Sequence, residues 1–321
     1  MSSSILERGN DALKVNRPDA NRHLTTNGSN WLWAVTAVFA VTLLGWLAWT
    51  LMRYKAKTSA HNSKHGDKID PQRDPQIGVQ RTAVAVIPLY RERIFHYLWS
   101  LAAFIGFISY FTMAANLGNT PVRQYMHNDG NESQTRSIFY VRYIYWFLAW
   151  PLIVTANLLV SGVSWATIFF AVFLQEIWVV SWLCGAFVES SYKWGYFVFG
   201  IFAYLVLAYW MMVWGREHAA RINTGKSYTM LAGFLVLAWM AFPIAWGLSE
   251  GSNRLSVTGE MIFYGILDLI AVPIYGTLFL IYSKRFAPNL FNFTQAGRVL
   301  GVEHHGESTQ YSAAHNSGGV V

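Results

Sequence analysis

LDLIAVPIYG, residues 267–276, lies inside a long apolar run near the end of the chain. It carries one charge, Asp268, where a membrane-spanning helix ordinarily has none, because an ionised group is costly in lipid and usually has a task. Val272 follows Asp268 one helical turn later. The run extends over 260–282, and comparable runs of about 20 apolar residues precede it near 31–52, 94–116, 138–160, 165–187, 194–214 and 227–248. Their length and spacing predict an all-α membrane protein, a bundle of seven transmembrane helices. The third and fourth are joined by a very short turn around Gly162, and the second and third by a polar loop of Gly, Asn and Asp.

Composition agrees. Only 13% of the 321 residues are charged and 54% are hydrophobic, against about 25% charged in soluble domains. Fifteen Trp suit a membrane boundary, where an apolar ring and a polar N–H are both served. The single Cys184 rules out an intrachain disulfide and a cysteine-rich metal site. The sequence has no Gly-rich phosphate loop, HExxH or GxSxG motif, and no nucleophile–base pair stands out in the spans, so enzymatic activity is not expected. The net charge of +7 resides in loops and tails beside the spans, which reads as orientation rather than as nucleic-acid binding.

With the N-terminus outside, the inner segments hold fifteen Lys and Arg and the outer segments eight. That bias predicts an outside N-terminus and an inside C-terminus. Three regions follow: a polar extracellular N-terminus over 1–30, a seven-helix domain over 31–285, and a disordered cytoplasmic tail over 286–321. His304 and His305 in that tail read as solvated rather than as metal ligands, and no metal site is expected. Within the domain, residues 55–90 form a long inner loop, basic at first and ending in the apolar piece AVAVIPLY, 83–90, too short to span. Its basic beginning makes it a candidate contact for anionic membrane lipids. The sequons at Asn27 and Asn131 fall outside and are candidate glycosylation sites, whereas the one at Asn292 falls inside.

The ionisable residues within spans are Arg142, Glu176 and Asp268, with Tyr110 and Tyr145 able to offer hydroxyls. A structural pair is the plain reading: a buried Asp268 is tolerable if Arg142 and the two phenols satisfy its oxygens. A second pattern gives these residues a context. RYIYWFLAWPL (142–152), QEIWVVSWLCGAF (175–187), YKWGYFVFG (192–200), WMAFPIAW (239–246) and LDLIAVPIYG resemble the microbial rhodopsins, in order and spacing, over about residues 30–285. RIFHY (93–97) and YFTMAANLG (110–118) point to the fungal branch, and to the group that includes the thirty-kilodalton heat-shock membrane proteins.

The resemblance implies a retinal Schiff base on a helix-seven lysine, four residues after an aspartate. Here the aspartate is Asp268 and the lysine position is Val272, which has no amine, and the region 259–283 contains no lysine. Lys193 sits at the outer end of the fifth span, outside the expected pocket. No covalent retinal is therefore expected at the family site. Asp268, Arg142, Tyr110 and Tyr145 become a former counterion network. Tyr145 occupies the pumps' proton-acceptor position, and a phenol with an ordinary pKa of about 10 accepts poorly at neutral pH. The inner donor position is Ala156, and a threonine-type position one turn past the acceptor is Ala149. Trp146, Trp239, Pro243 and Trp246 match rings and a proline that line the polyene, Phe242 replaces a tyrosine, and Trp182 replaces a glycine beside the ionone ring. Core packing is the plain reading of these aromatics. Glu250 and Glu260 match an outer acidic pair, and Glu176 reads as an interhelical hydrogen-bonding group.

The resemblance thus implies a light-independent, stress-associated plasma-membrane protein that modulates other membrane proteins, such as a proton-pumping ATPase, and is compatible with homo-oligomers. Two alternatives stay open: a passive proton or ion conductor, and a sensor with a noncovalent chromophore.

Overall fold

The computed structural model describes residues 10–65, 75–127 and 134–286, with side chains over 10–52, 93–127 and 134–282. The sequon at Asn131, the histidines His304 and His305, and the tail from 287 lie outside the described residues. Seven helices among the described residues are long and apolar enough to cross a membrane. We label them α1 (Thr26–Met52), α2 (Arg93–Ala114), α3 (Tyr140–Ser161), α4 (Trp165–Phe187), α5 (Lys193–Arg221), α6 (Gly225–Gly251) and α7 (Val257–Tyr282).

The expected spans are all present, with shifted ends. The helix of α1 begins at Thr26 rather than 31, so Asn27 stands exposed in its first turn. α5 continues to Arg221 and α6 to Gly251. The segment expected as a loop over 55–90 is largely helical: α1 belongs to a helix that continues to His65, and α2 to one that starts at Pro75. A two-stranded antiparallel hairpin, β1 (Thr120–Arg123) and β2 (Thr135–Ile138), links α2 to α3 with Thr120 opposite Ile138. The segment before α1 adds to it. The Arg22 N–H donates to the Thr135 carbonyl at 2.9 Å and the Ser137 N–H to the Arg22 carbonyl at 2.9 Å. This small sheet closes the N-terminal end of the bundle.

Local chemistry sets the turns and contacts. α3 ends at Gly162, which takes φ +71°, a left-handed conformation that costs glycine little. Ser164 then caps α4 by accepting from the Thr167 N–H at 3.3 Å. α7 widens into a π-helical turn over Ile270–Ile274, around Pro273, whose missing N–H breaks the regular ladder. Wide turns also occur over Trp210–Gly215 in α5 and Gly247–Gly251 in α6. Small residues let the helices close: a side chain at Gly200 of α5 would overlap the Trp182 indole of α4. α3 and α7 are the most enclosed helices and α1 the most open.

Candidate functional site

Two polar clusters sit in the bundle, above an aromatic layer. The central one surrounds Asp268, which is fully buried on α7. The Tyr110 hydroxyl of α2 donates to its Oδ2 at 2.6 Å, and the Trp146 indole N–H of α3 donates to its Oδ1 at 3.1 Å. These two bonds satisfy a buried carboxylate without any cation. The expected network is thus corrected at two members. Among the described residues Asp268 makes no ion pair with Arg142, and the Tyr145 hydroxyl has no hydrogen-bond partner. Tyr145 instead packs its ring against Phe39 and Tyr110, each with centroids 6.1 Å away.

Arg142 points toward the N-terminal end of the bundle, where the second cluster lies. Its Nη1 is 3.1 Å from Glu250 Oε1 of α6 and 2.6 Å from Glu260 Oε1 of α7, the latter an ion pair without hydrogen-bond alignment. Its guanidinium lies 4.1 Å from the Tyr264 ring centroid, a cation–π distance. Glu260 also meets Arg136 of β2, at 2.5 Å, and Arg136 further donates to Asn253 Oδ1 at 2.9 Å and the Leu255 carbonyl at 2.6 Å. Glu250 accepts from the hydroxyls of Tyr143 at 2.9 Å, Tyr264 at 3.3 Å and neighbouring Ser249. All four charged groups are buried. Two guanidiniums and two carboxylates therefore neutralise one another across the hairpin, α3, α6 and α7. Charge-assisted hydrogen bonds between buried groups of this kind are stronger than those in water and tie the hairpin to the helix ends.

Arg136 was not singled out in the sequence, where it reads as one more loop base. Only its place on a strand laid against the helix ends brings it inside. Lys193 is also buried, and its Nζ donates to the Glu250 carbonyl at 2.7 Å. It lies at the charged cluster, as its position at the start of α5 implies.

Below Asp268 the interior is aromatic. Trp150 lies between Trp146 and Trp239, with ring centroids 5.0 and 5.1 Å away. Trp178 packs 4.9 Å from Trp150 and 5.3 Å from Trp182. Phe242 closes against Trp146 and Trp150 at 5.4 and 5.0 Å, and Pro243 follows it on α6. Trp182 sits 6.0 Å from Trp246, with Phe197 stacked against both. The structure therefore joins the expected aromatics and adds two that sequence reasoning missed, Trp150 and Trp178. Trp150 was legible in principle: it stands four residues after Trp146, on the same helix face. Val272, Ala149 and Ala156 are fully buried and apolar. Glu176 is half-buried on α4 and makes no hydrogen bond to another helix among the described residues, which corrects its expected role. Its neighbour Gln175 is fully buried with both amide atoms unpaired.

The geometry predicts a modest effect at the centre. Asp268→Asn keeps one acceptor but turns an N–H₂ toward one of its two donors, and should destabilise the protein by about 1–3 kcal/mol. Equilibrium unfolding in mixed micelles measures this, and an unchanged stability would contradict the two-donor geometry.

Residues 82–285 match the family described as bacteriorhodopsin-like protein. The chain is 36% identical to the opsin-like protein carO of Fusarium fujikuroi, over 90% of this chain and 85% of that one. It is 33% identical to the 30 kDa heat shock protein of Saccharomyces cerevisiae, over 88% and 80% of the two chains. Its fold is similar to that of the light-driven proton pump rhodopsin of Coccomyxa subellipsoidea, with a TM-score of 0.64, 25% identity, and coverage of 81% and 98%. With seven apolar helices in this arrangement, the chain is an integral multi-pass membrane protein that belongs to the bacteriorhodopsin-like family and is related to the fungal opsins.

Proposed function

We propose that this protein works without retinal and without light, as a non-enzymatic plasma-membrane protein that modulates or protects other membrane proteins under stress. One observation carries the first part. The attachment position is Val272, and the Trp150 indole fills the space between Trp146 and Trp239, where the family's polyene would lie. Trp182, wedged among Trp178, Phe197 and Trp246, fills the ionone end. The residues present do not fit retinal, covalent or free.

The indole layer also argues against a passive conductor. A proton or ion file needs polar groups through both halves of the bundle. On the side of Asp268 away from the charged cluster stand Val272, Ala149, Ala156 and the aromatic layer, and the buried polar pair beyond them, Tyr275 and Asn157, is closed on itself by a hydrogen bond. The stress-associated role and the outside N-terminus rest on other support. The yeast relative is named a heat shock protein, and the inner segments carry the excess of Lys and Arg. A proton-pumping ATPase is the partner class the family resemblance suggests.

The test is a visible spectrum after adding all-trans retinal to purified wild type and to Val272→Lys. Both should stay colourless, because the anchor restores the amine and leaves the indoles in place. A visible band in wild type would overturn the proposal. A band in Val272→Lys alone would show that Trp150 and Trp182 yield easily, and that the missing lysine is the sole barrier.

A further inference from the structure

At the end of the bundle opposite the charged cluster, the close of α5 and the start of α6 enclose an open groove of about 540 Å³. Arg216, Lys226 and Thr229 supply its polar lining, and Ala220, Gly225 and Met230 the remainder. The two helix ends approach closely: a Cβ on Gly225 would lie 3.0 Å from the Ala220 Cα. We infer that this groove binds the headgroup of an anionic phospholipid from the surrounding membrane, with Arg216 and Lys226 as cationic partners of its net negative charge.

Three observations support this occupant. The first is charge. The acid nearest in sequence, Glu217, is taken by Arg221 at 2.5 Å, so it does not neutralise the groove. Among the described residues neither Arg216 nor Lys226 has an ion pair. Both side chains are exposed. The second is depth. The groove lies where two spans end, and Trp214, which is 41% exposed and stacked on Trp210 at 5.4 Å, stands less than one turn before Arg216. Amphipathic indoles of that kind mark the headgroup level. The third is polarity along the groove. Met230 is 49% exposed and belongs to the apolar part of the lining, so the site offers cations to an anionic headgroup and an apolar wall to the first carbons of a chain. A soluble anion would use only the first of these.

Native mass spectrometry of the full chain in detergent with added phosphatidylserine or phosphatidylcholine tests the inference. Wild type should retain phosphatidylserine over phosphatidylcholine by about tenfold or more, the preference expected when two cations act at a membrane surface. The double variant Arg216→Gln/Lys226→Gln should lose that preference. The control Arg254→Gln, an exposed cation at the opposite end of the bundle, should keep it within about twofold. The inference fails if the double variant retains phosphatidylserine like wild type, or if the control loses it equally. It also fails if inorganic phosphate displaces the lipid, because the groove would then be a site for the free anion. Both substituted side chains are exposed, so folding should be unaffected, and matching unfolding midpoints confirm it.

Discussion

Replacing Arg136 with Met should lower the unfolding free energy by about 3–5 kcal/mol, the usual result of removing one partner from a buried ion pair. Arg136 is fully buried and gives its guanidinium to Glu260, Asn253 and the Leu255 carbonyl. Without it, Glu260 keeps only Arg142, which it shares with Glu250, and three acceptors lose their donor. Most of the loss is the desolvated charge left behind rather than the attraction itself. A companion variant separates these terms. Arg136→Met/Glu260→Gln leaves Arg142 and Glu250 as a balanced pair, so it should lose less stability than Arg136→Met alone. Equilibrium unfolding of the three proteins in mixed micelles measures both differences. A double variant as unstable as the sum of its single substitutions would show that the two residues do not act on each other.

Trp150→Ala should cost a similar amount, about 3–5 kcal/mol, for a different reason: it removes a buried indole and leaves a cavity. Trp150 touches Trp146, Trp178, Trp239 and Phe242, and rings of that size cannot all move to fill the space. The same cavity makes a further prediction. Val272→Lys combined with Trp150→Ala and Trp182→Gly should gain a visible band when retinal is added, although Val272→Lys alone should not. The triple variant supplies an amine on the helix turn after Asp268, space between Trp146 and Trp239, and space beside Trp246. A colourless but folded triple variant would mean that more of the pocket than these three positions has been remodelled.

These variants also show what was legible in the sequence. Apolar length alone located all seven spans, because each must satisfy its backbone within itself. Their ends were less legible: α5 and α6 carry polar residues such as Glu217 and Glu250 within helical turns, where hydropathy falls before the helix does. Asp268 stood out as the lone charge of its span and Tyr110 as a hydroxyl within one, whereas Trp146 was marked by the rhodopsin resemblance as a pocket ring, and the structure makes it a donor to Asp268 as well. The partner of Arg142 was misread. Asp268 is the nearest acid by motif, whereas Glu250 and Glu260 reach it only because the end of α6 and the start of α7 come together. Arg136 had no signal at all, since a hairpin strand folded over a bundle end leaves no helical period to read. Trp150 had a signal, and its significance required knowing that its ring, rather than a ligand, stands between Trp146 and Trp239.

The aromatic layer has a consequence for how much of this protein a cell can hold. A fold completed by a bound small molecule gains stability in proportion to the logarithm of that molecule's free concentration, so its abundance follows supply. Here the same space is occupied by Trp150, Trp178 and Trp182, which are synthesised with the chain and cannot dissociate. On the retinal-free reading proposed above, the interior is complete as soon as the helices assemble, and the protein's level in the membrane should not follow isoprenoid supply.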